Sequence, residues 1–459
     1  MRPVTDRLET ATTRDSSLTK RALFAYAVPA APVQFLFMLF LFMYLKFASD
    51  SLGASTALVG TIFLVARVWD AVSDPLVGNL SDRTQSRLGR RRSWLLGSAL
   101  PILVFGVMAW SPPESLSGGA LTAWIAVSVV GFYTAYTGFD VPHMALGAEI
   151  TFDRQSRNRV FGARQFSVAF AMLLSAGAVQ ILVDDSGGRT SAMWLALGAG
   201  IVTVAAVVYS VFTLPPERAD FMGRGGGNPF RALRDVWSNR HARLLLFVYF
   251  IESLGTGAIG MLIPFLLDDV MEMPKLTGPI LGLTFVLALL SIPGWVMLAR
   301  RYEKRRLWLA AMLASSVGFG LMLLMGKGTW PLMLVSATII GLCQSCGNVL
   351  GQALKAEIVD FDEYETGERK EGAYFAAWSF VRKLAAGIMV FIVGLVLEVV
   401  GYVPDGPQPD EVKTWILILV GAMPMAGYLI GSAAFFRFGL SESEHARIRV
   451  ELDSRQQAN

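Results

Sequence analysis

The chain has 459 residues, of which 54% are hydrophobic and only 17% charged, with a positive mean hydropathy and a formal net charge of +4. Soluble domains carry about 25% charged residues, so the composition excludes an ordinary soluble protein and points to the lipid bilayer. The basic excess is too modest to suggest a nucleic-acid partner, and two cysteines exclude a disulfide framework.

The first 21 residues are polar and mixed in charge, and the apolar run that follows is too long for a signal-peptide core. Windows of about 20 residues, the length that crosses the hydrocarbon core, predict twelve spans. They lie near 22–46, 54–80, 94–111, 121–146, 161–183, 192–214, 242–268, 277–299, 307–325, 330–354, 372–402 and 413–436. Several contain Gly or Pro, which neighbouring helices make tolerable. With the N-terminus in the cytoplasm, only Lys46, Arg189, Lys275, Lys327 and Lys413 fall in opposite-side loops. The positive-inside rule therefore predicts cytoplasmic termini in a plasma (inner) membrane.

Ionisable groups inside spans are costly and mark functional sites. The second span holds "ARVWDAVSDP", 66–75, where Asp70 and Asp74 are four residues apart and share a helix face, with Cβ atoms about 5–6 Å apart. Two carboxylates that close resist joint ionisation unless a cation joins them. A proton or a monovalent metal cation serves, with Ser73 adding an oxygen; permanent neutralisation by Arg67 is the structural alternative. In the fourth span, "YTGFDVPH", 136–143, puts Thr137 and His143 on the face of Asp140. His143 reads equally as a satisfied helix-end histidine and as a substrate contact.

Between residues 215 and 241 lies a polar segment with "GRGGG", a flexible linker rather than a phosphate cradle because no strand precedes it. Phe230, Leu233, Val236 and Trp237 share a helical face beside Arg231 and Arg234, which predicts a short helix on the membrane surface. In the seventh span Glu252, near the midplane without a basic neighbour in sequence, reads as a cavity residue. In the tenth, Gln344 and Asn348 are explained equally by polar helix packing. Cys343 and Cys346, as "CQSC", read as two small residues on one helix face. Arg164 and the pair Arg382–Lys383 supply positive charge.

Two phrases recur in order. "RRSWL", 91–95, returns as "RRLWL", 305–309, and "ALGAEI", 145–150, returns as "ALKAEI", 353–358. Each pair is six spans apart with the same orientation, which predicts an all-α membrane protein whose twelve transmembrane helices form two six-helix pseudo-symmetric halves, a parallel repeat of the major facilitator kind. The expected division is a cytoplasmic tail over 1–21, halves over 22–214 and 242–436 joined by the linker 215–241, and a C-terminal tail over 437–459. Arg91, Arg92, Arg305 and Arg306 are expected to meet acids such as Asp82, Glu149 and Glu357 in a cytoplasmic gate.

"RVWDAVSDPLVGNLSDRTQSRLGRRRSWLLG", 67–97, strongly resembles the signature of the glycoside–pentoside–hexuronide:cation symporters, the melibiose-permease-like branch of the major facilitator superfamily. "EIVDFDEYETGERKEGAYFAAWSFVRKLA", 357–385, and "FDVPHMALGAEITFDRQSRNRVFGARQF", 139–166, resemble further segments of that family. The resemblance implies that Asp70 and Asp74 are cation-site carboxylates, that Thr137 adds a hydroxyl, and that Asp140, Arg164 and Lys383 lie at the sugar site. Departures are Val33–Gln34 where melibiose-type members carry a Lys–Asp pair, Met144 in place of a stacking Trp, and Ser73 where Asn is common. The first two speak against galactoside recognition, and the third leaves sodium and proton open.

The expected function is cation-coupled (Na⁺ or H⁺) symport of a sugar or glycoside by a monomer, with no cofactor and no enzymatic activity. The Phe35, Phe37, Phe40 and Phe42 run leaves a lysolipid-like amphiphile as an alternative cargo, and a passive uniporter or an enzyme built on His143 and Asp140 as further rivals.

Overall fold

Backbone polar groups inside a bilayer have no water to bond to, so a chain of this composition has to satisfy them within each segment. It does so with helices alone among the described residues. The computed structural model describes residues 19–151, 154–184, 188–217, 236–367, 370–440 and 442–458. In chain order the long helices are α1 (Lys20–Asp50), α2 (Thr56–Arg83), α3 (Arg90–Trp110), α4 (Gly118–Glu149), α5 (Arg154–Asp184) and α6 (Arg189–Thr213). Then follow α7 (Arg240–Val270), α8 (Thr277–Leu298), α9 (Lys304–Met322), α10 (Trp330–Thr366), α11 (Glu371–Val399) and α12 (Asp410–Phe435). Eleven of these are long and apolar enough to cross a membrane. The other, α9, has 19 residues and begins on Lys304, Arg305 and Arg306, which shortens its apolar run.

The chain forms two compact units, one of Met1–Phe40, Val72–Ala178 and Gly188–Gly226, the other of Leu41–Ala71, Val179–Gly187 and Gly227–Asn459. In the first, α3 packs on α4 and α6; in the second, α9, six helices later, packs on α10 and α12, and α7 packs on α11 and α12. Glycines set the closest approach. Thr56 Oγ1 of α2 donates to the Gly394 carbonyl of α11 at 2.9 Å, and a Cβ on Gly394 would overlap the Thr56 carbonyl oxygen.

The tenth helix continues beyond its expected end near 354, because Leu354, Ile358, Val359 and Phe361 keep a buried face. It stops at Gly367, whose φ of 73° closes it in the left-handed conformation with its N–H on the Glu363 carbonyl. The C-terminal segment forms a further helix, α13 (Glu442–Ala458), which packs on α10 with Ile448 and Leu452 buried. His445 and Arg449 reach Asp360 at 3.0 and 3.4 Å. The N-terminal tail through residue 18 and the linker residues 218–235, including Phe230, Arg231, Leu233 and Arg234, lie outside the described residues. Val236 is buried and Trp237 exposed.

Replacing Gly394 by Ala should push α2 from α11 and cost about 1–3 kcal/mol, as overpacking does. The thermal midpoint of the detergent-solubilised variant is expected to fall; an unchanged midpoint would contradict the close contact.

Candidate functional site

On α2, Asp70 is 1% exposed and Ser73 and Arg67 are buried, while Asp74, one turn further, is half-buried. Lys383 of α11 places its ammonium 2.9 Å from Asp70 Oδ2. The approach is possible because Gly387, one turn after Lys383, leaves room for the Arg67 side chain; a Cβ there would come within 2.8 Å of Arg67 Cβ. Lys383, expected at the sugar site, therefore sits against one of the two carboxylates expected to bind the cation.

Asp140 and Arg164 form a direct pair on α4 and α5, 2.5 Å apart. His143 is fully buried and fixed on three sides. Its Nε2 lies 2.8 Å from the Tyr26 carbonyl and its Nδ1 3.4 Å from Arg164 Nε, while the Tyr26 ring stacks on it at 4.4 Å. A carbonyl only accepts and a guanidinium only donates, so the ring is a neutral imidazole protonated on Nε2. The Tyr26 hydroxyl donates to the His143 carbonyl at 3.2 Å. Both ring nitrogens are committed to the protein, so the structure gives His143 a positioning place behind Arg164 rather than a substrate contact. Thr137 is buried; Gln34, also buried, accepts from the Tyr136 hydroxyl at 3.5 Å, and Met144 is exposed.

The repeated phrases build the same ion pair twice, each within its own unit. Arg90 lies 2.8 Å from Glu149, and Lys304, at the corresponding place in the second phrase, lies 2.5 Å from Glu357. Arg91 adds Asp82 and, at 3.2 Å, Glu149. Three other expected gate residues have different partners. Arg92 donates to the carbonyls of Val211, Leu214 and Pro215 at the end of α6. Arg305 donates to the Phe436 carbonyl, and exposed Arg306 meets Glu303 at 2.9 Å. Helical spacing explains the difference: successive residues on a helix point about 100° apart, so Arg92, Arg305 and Arg306 turn away from the glutamates that Arg90, Arg91 and Lys304 face. Glu217 accepts from the backbone N–H groups of Arg91 and Arg92, the usual use of a carboxylate at a helix N-terminus.

One charge site was not visible in the sequence and a second was only partly so. Lys46, expected in a loop, is buried in α1 with Asp50, Asp268 and Asp269 at 3.1, 3.0 and 2.9 Å and the Tyr402 hydroxyl at 3.2 Å. Asp268 and Asp269 reach it from a π-helical turn, Leu266–Val270, that ends α7. Burial pushes the Tyr402 phenol pKa up, against the pull of Lys46, and Asp269 and Asp50 add to the rise. The second is a cavity of about 260 Å³ within the second unit, lined among others by Tyr249, Glu252, Trp308, Lys355, Trp378 and Arg382. Glu252 does line a cavity, and Gln344 and Asn348 line it too, as does Cys343; Cys346 is buried. Lys355 hid in "ALKAEI", whose one changed letter was its signal. Among the described residues no group of three or more His, Cys, Asp and Glu side chains is placed to hold a metal ion.

Residues 25–442 match the family described as MFS/sugar transport protein. Relatives include an isoprimeverose transporter of Lactiplantibacillus pentosus, 29% identical over 408 residues and covering 87% of this chain and 84% of that one. A putative glycoside/cation symporter, YagG, of Escherichia coli (strain K12) is 26% identical over 449 residues, covering 96% of this chain and 95% of its own. The crystal structure of the nucleoside transporter NupG superposes with a TM-score of 0.69 at 12% identity, covering 91% of this chain and 98% of that one, a likeness of fold.

Lys46→Met should strand three carboxylates and cost about 3–5 kcal/mol, as removing one partner of a buried pair does. Adding Asp269→Asn should restore part of the lost thermal stability. A single variant as stable as the parent would show that the cluster holds nothing together.

Proposed function

The chain belongs to the MFS/sugar transport protein family and is an integral membrane transporter with the major facilitator fold, not an enzyme; from that premise we propose that it imports a sugar or glycoside by cation-coupled symport. The observation that carries the coupling is the contact between Lys383 and buried Asp70. In this reading a sodium ion or proton competes with the ammonium for the Asp70 carboxylate. Cation entry at Asp70 and Asp74, helped by Ser73 and Thr137, then releases Lys383 from α2. A shift in Lys383 couples the cation to the cargo, and the coupling acts equally in both directions.

The sugar reading is supported by the isoprimeverose and glycoside/cation relatives, and those names favour it over a lysolipid-like cargo. Asp140 and Arg164 are the proposed sugar contacts of the first unit, with Gln34 and Met144 beside them. In this reading the two six-helix halves alternate access, the repeated ion pairs Arg90–Glu149 and Lys304–Glu357 brace each half at its cytoplasmic end, both termini face the cytoplasm, and the working unit is a monomer.

Uptake into proteoliposomes, with a sodium or a proton gradient imposed, tests the proposal. The parent should concentrate a glycoside only when one of the gradients points inward. Asp70→Asn and Asp74→Asn should lower the accumulation ratio about 5–150-fold, the span of ordinary coupling energies. Uptake that merely equilibrates under either gradient would replace the symporter by a passive uniporter.

A further inference from the structure

We propose that the cavity of the second unit is an oxyanion subsite, in which Lys355 and Arg382 hold a carboxylate or sulfonate carried on the sugar. The inference rests on the sugar-carrier reading above and narrows it to acidic cargo.

Lys355 is 8% exposed. Its ammonium stands 4.2 Å from the Tyr249 ring centroid and 5.3 Å from that of Trp378. Among the described residues it meets no carboxylate and makes no hydrogen bond. Burial of an ammonium without an anion is expensive, and the chain avoids it elsewhere. Lys46, Arg90 and Arg91 are buried to a similar degree and each faces carboxylates, while Arg92 spends its guanidinium on three carbonyls. The aromatic faces supply part of the missing compensation to Lys355, and an anion bound in the cavity would supply more.

Arg382 lines the same cavity and has no ion pair among the described residues. Two cations facing one space repel each other until an anion enters between them. The same cavity offers Glu252, whose buried Oε1 has no hydrogen-bond partner, and Trp378, whose Nε1 has none either. Glu252 can accept from a hydroxyl, the indole can donate to one, and the rings of Tyr249, Trp308 and Trp378 offer flat apolar faces to C–H groups. Cationic pair, hydroxyl acceptor and ring faces together describe a sugar acid. At about 260 Å³ the space lies just under the range of about 300–1,000 Å³ usual for small-molecule pockets, which suits a monosaccharide unit.

Calorimetric titration of the purified full-length protein in sodium tests this directly. The ligands are methyl glucuronide, its neutral methyl ester, a 6-sulfonated glucoside, a neutral methyl glucoside, and acetate and phosphate alone. The free acid or the sulfonate should bind, and the ester should bind at least about tenfold more weakly, a comparison that needs no variant. Lys355→Gln and Arg382→Gln should each lower affinity for the acid about 10–100-fold, the worth of a hydrogen bond to a charged group, whereas Lys355→Arg should keep it within a few-fold. Neutral glucoside binding as tightly as the acid overturns the oxyanion subsite and leaves the sugar-carrier reading standing. Unchanged acid affinity in Lys355→Gln, or acetate or phosphate binding as well as the sugar acid, overturns it too. Failure of every sugar, acidic and neutral, removes the sugar reading and this inference with it.

Discussion

Moving an isolated carboxylate or ammonium out of water costs more than a single contact returns, and the polar side chains of the twelve helices are arranged around that cost. Asp70 has Lys383, Asp140 has Arg164, Glu149 and Glu357 each have a basic residue from a repeated phrase, and Lys46 has three aspartates. Each pairing fixes a helix at a particular rotation as well as a particular depth. A charge that can be matched in more than one way, by a side chain or by a ligand, is then the natural place for a transported solute to act.

Those pairings depend on backbone details with no charge of their own. Gly387 lets α11 approach α2 closely enough for Lys383 to reach Asp70, and Gly394 tightens the same contact two turns later. The π-helical turn ending α7 carries Asp268 and Asp269 to Lys46. His143 holds Arg164 from behind through a neutral ring whose tautomer is set by its two partners.

Much of the fold was legible in the sequence because hydropathy over about 20 residues reports bilayer crossing directly. The ends were less so: α10 runs on to Thr366 because a buried face at Leu354, Ile358 and Phe361 outlasts its apolar average. Asp70 and Asp74 drew attention because both lie on one helix at helical spacing. The Lys46 cluster could not, since Asp268 and Asp269 come from a distant segment and Lys46 ends an apolar run in the manner of a loop residue. Lys355 was visible only as a letter, because a basic residue at the expected cytoplasmic end of a span reads as topology until its burial is known. The gate expectation holds for Arg91, which meets Asp82 and Glu149, but not for Arg92, Arg305 and Arg306, and it missed Arg90 and Lys304, which also face the glutamates.

The two copies of the "AL-AEI" phrase differ by one residue, and the difference has a use. At Gly147 a side chain would collide with the Tyr26 hydroxyl; at the corresponding Lys355 the ammonium lies over the Tyr249 ring. Both copies keep the glutamate that braces the helix end, so duplication preserved the mechanical part while freeing one position to diverge. At this position the first unit admits no side chain and the second carries a buried cation, so the two units no longer offer a solute the same chemistry.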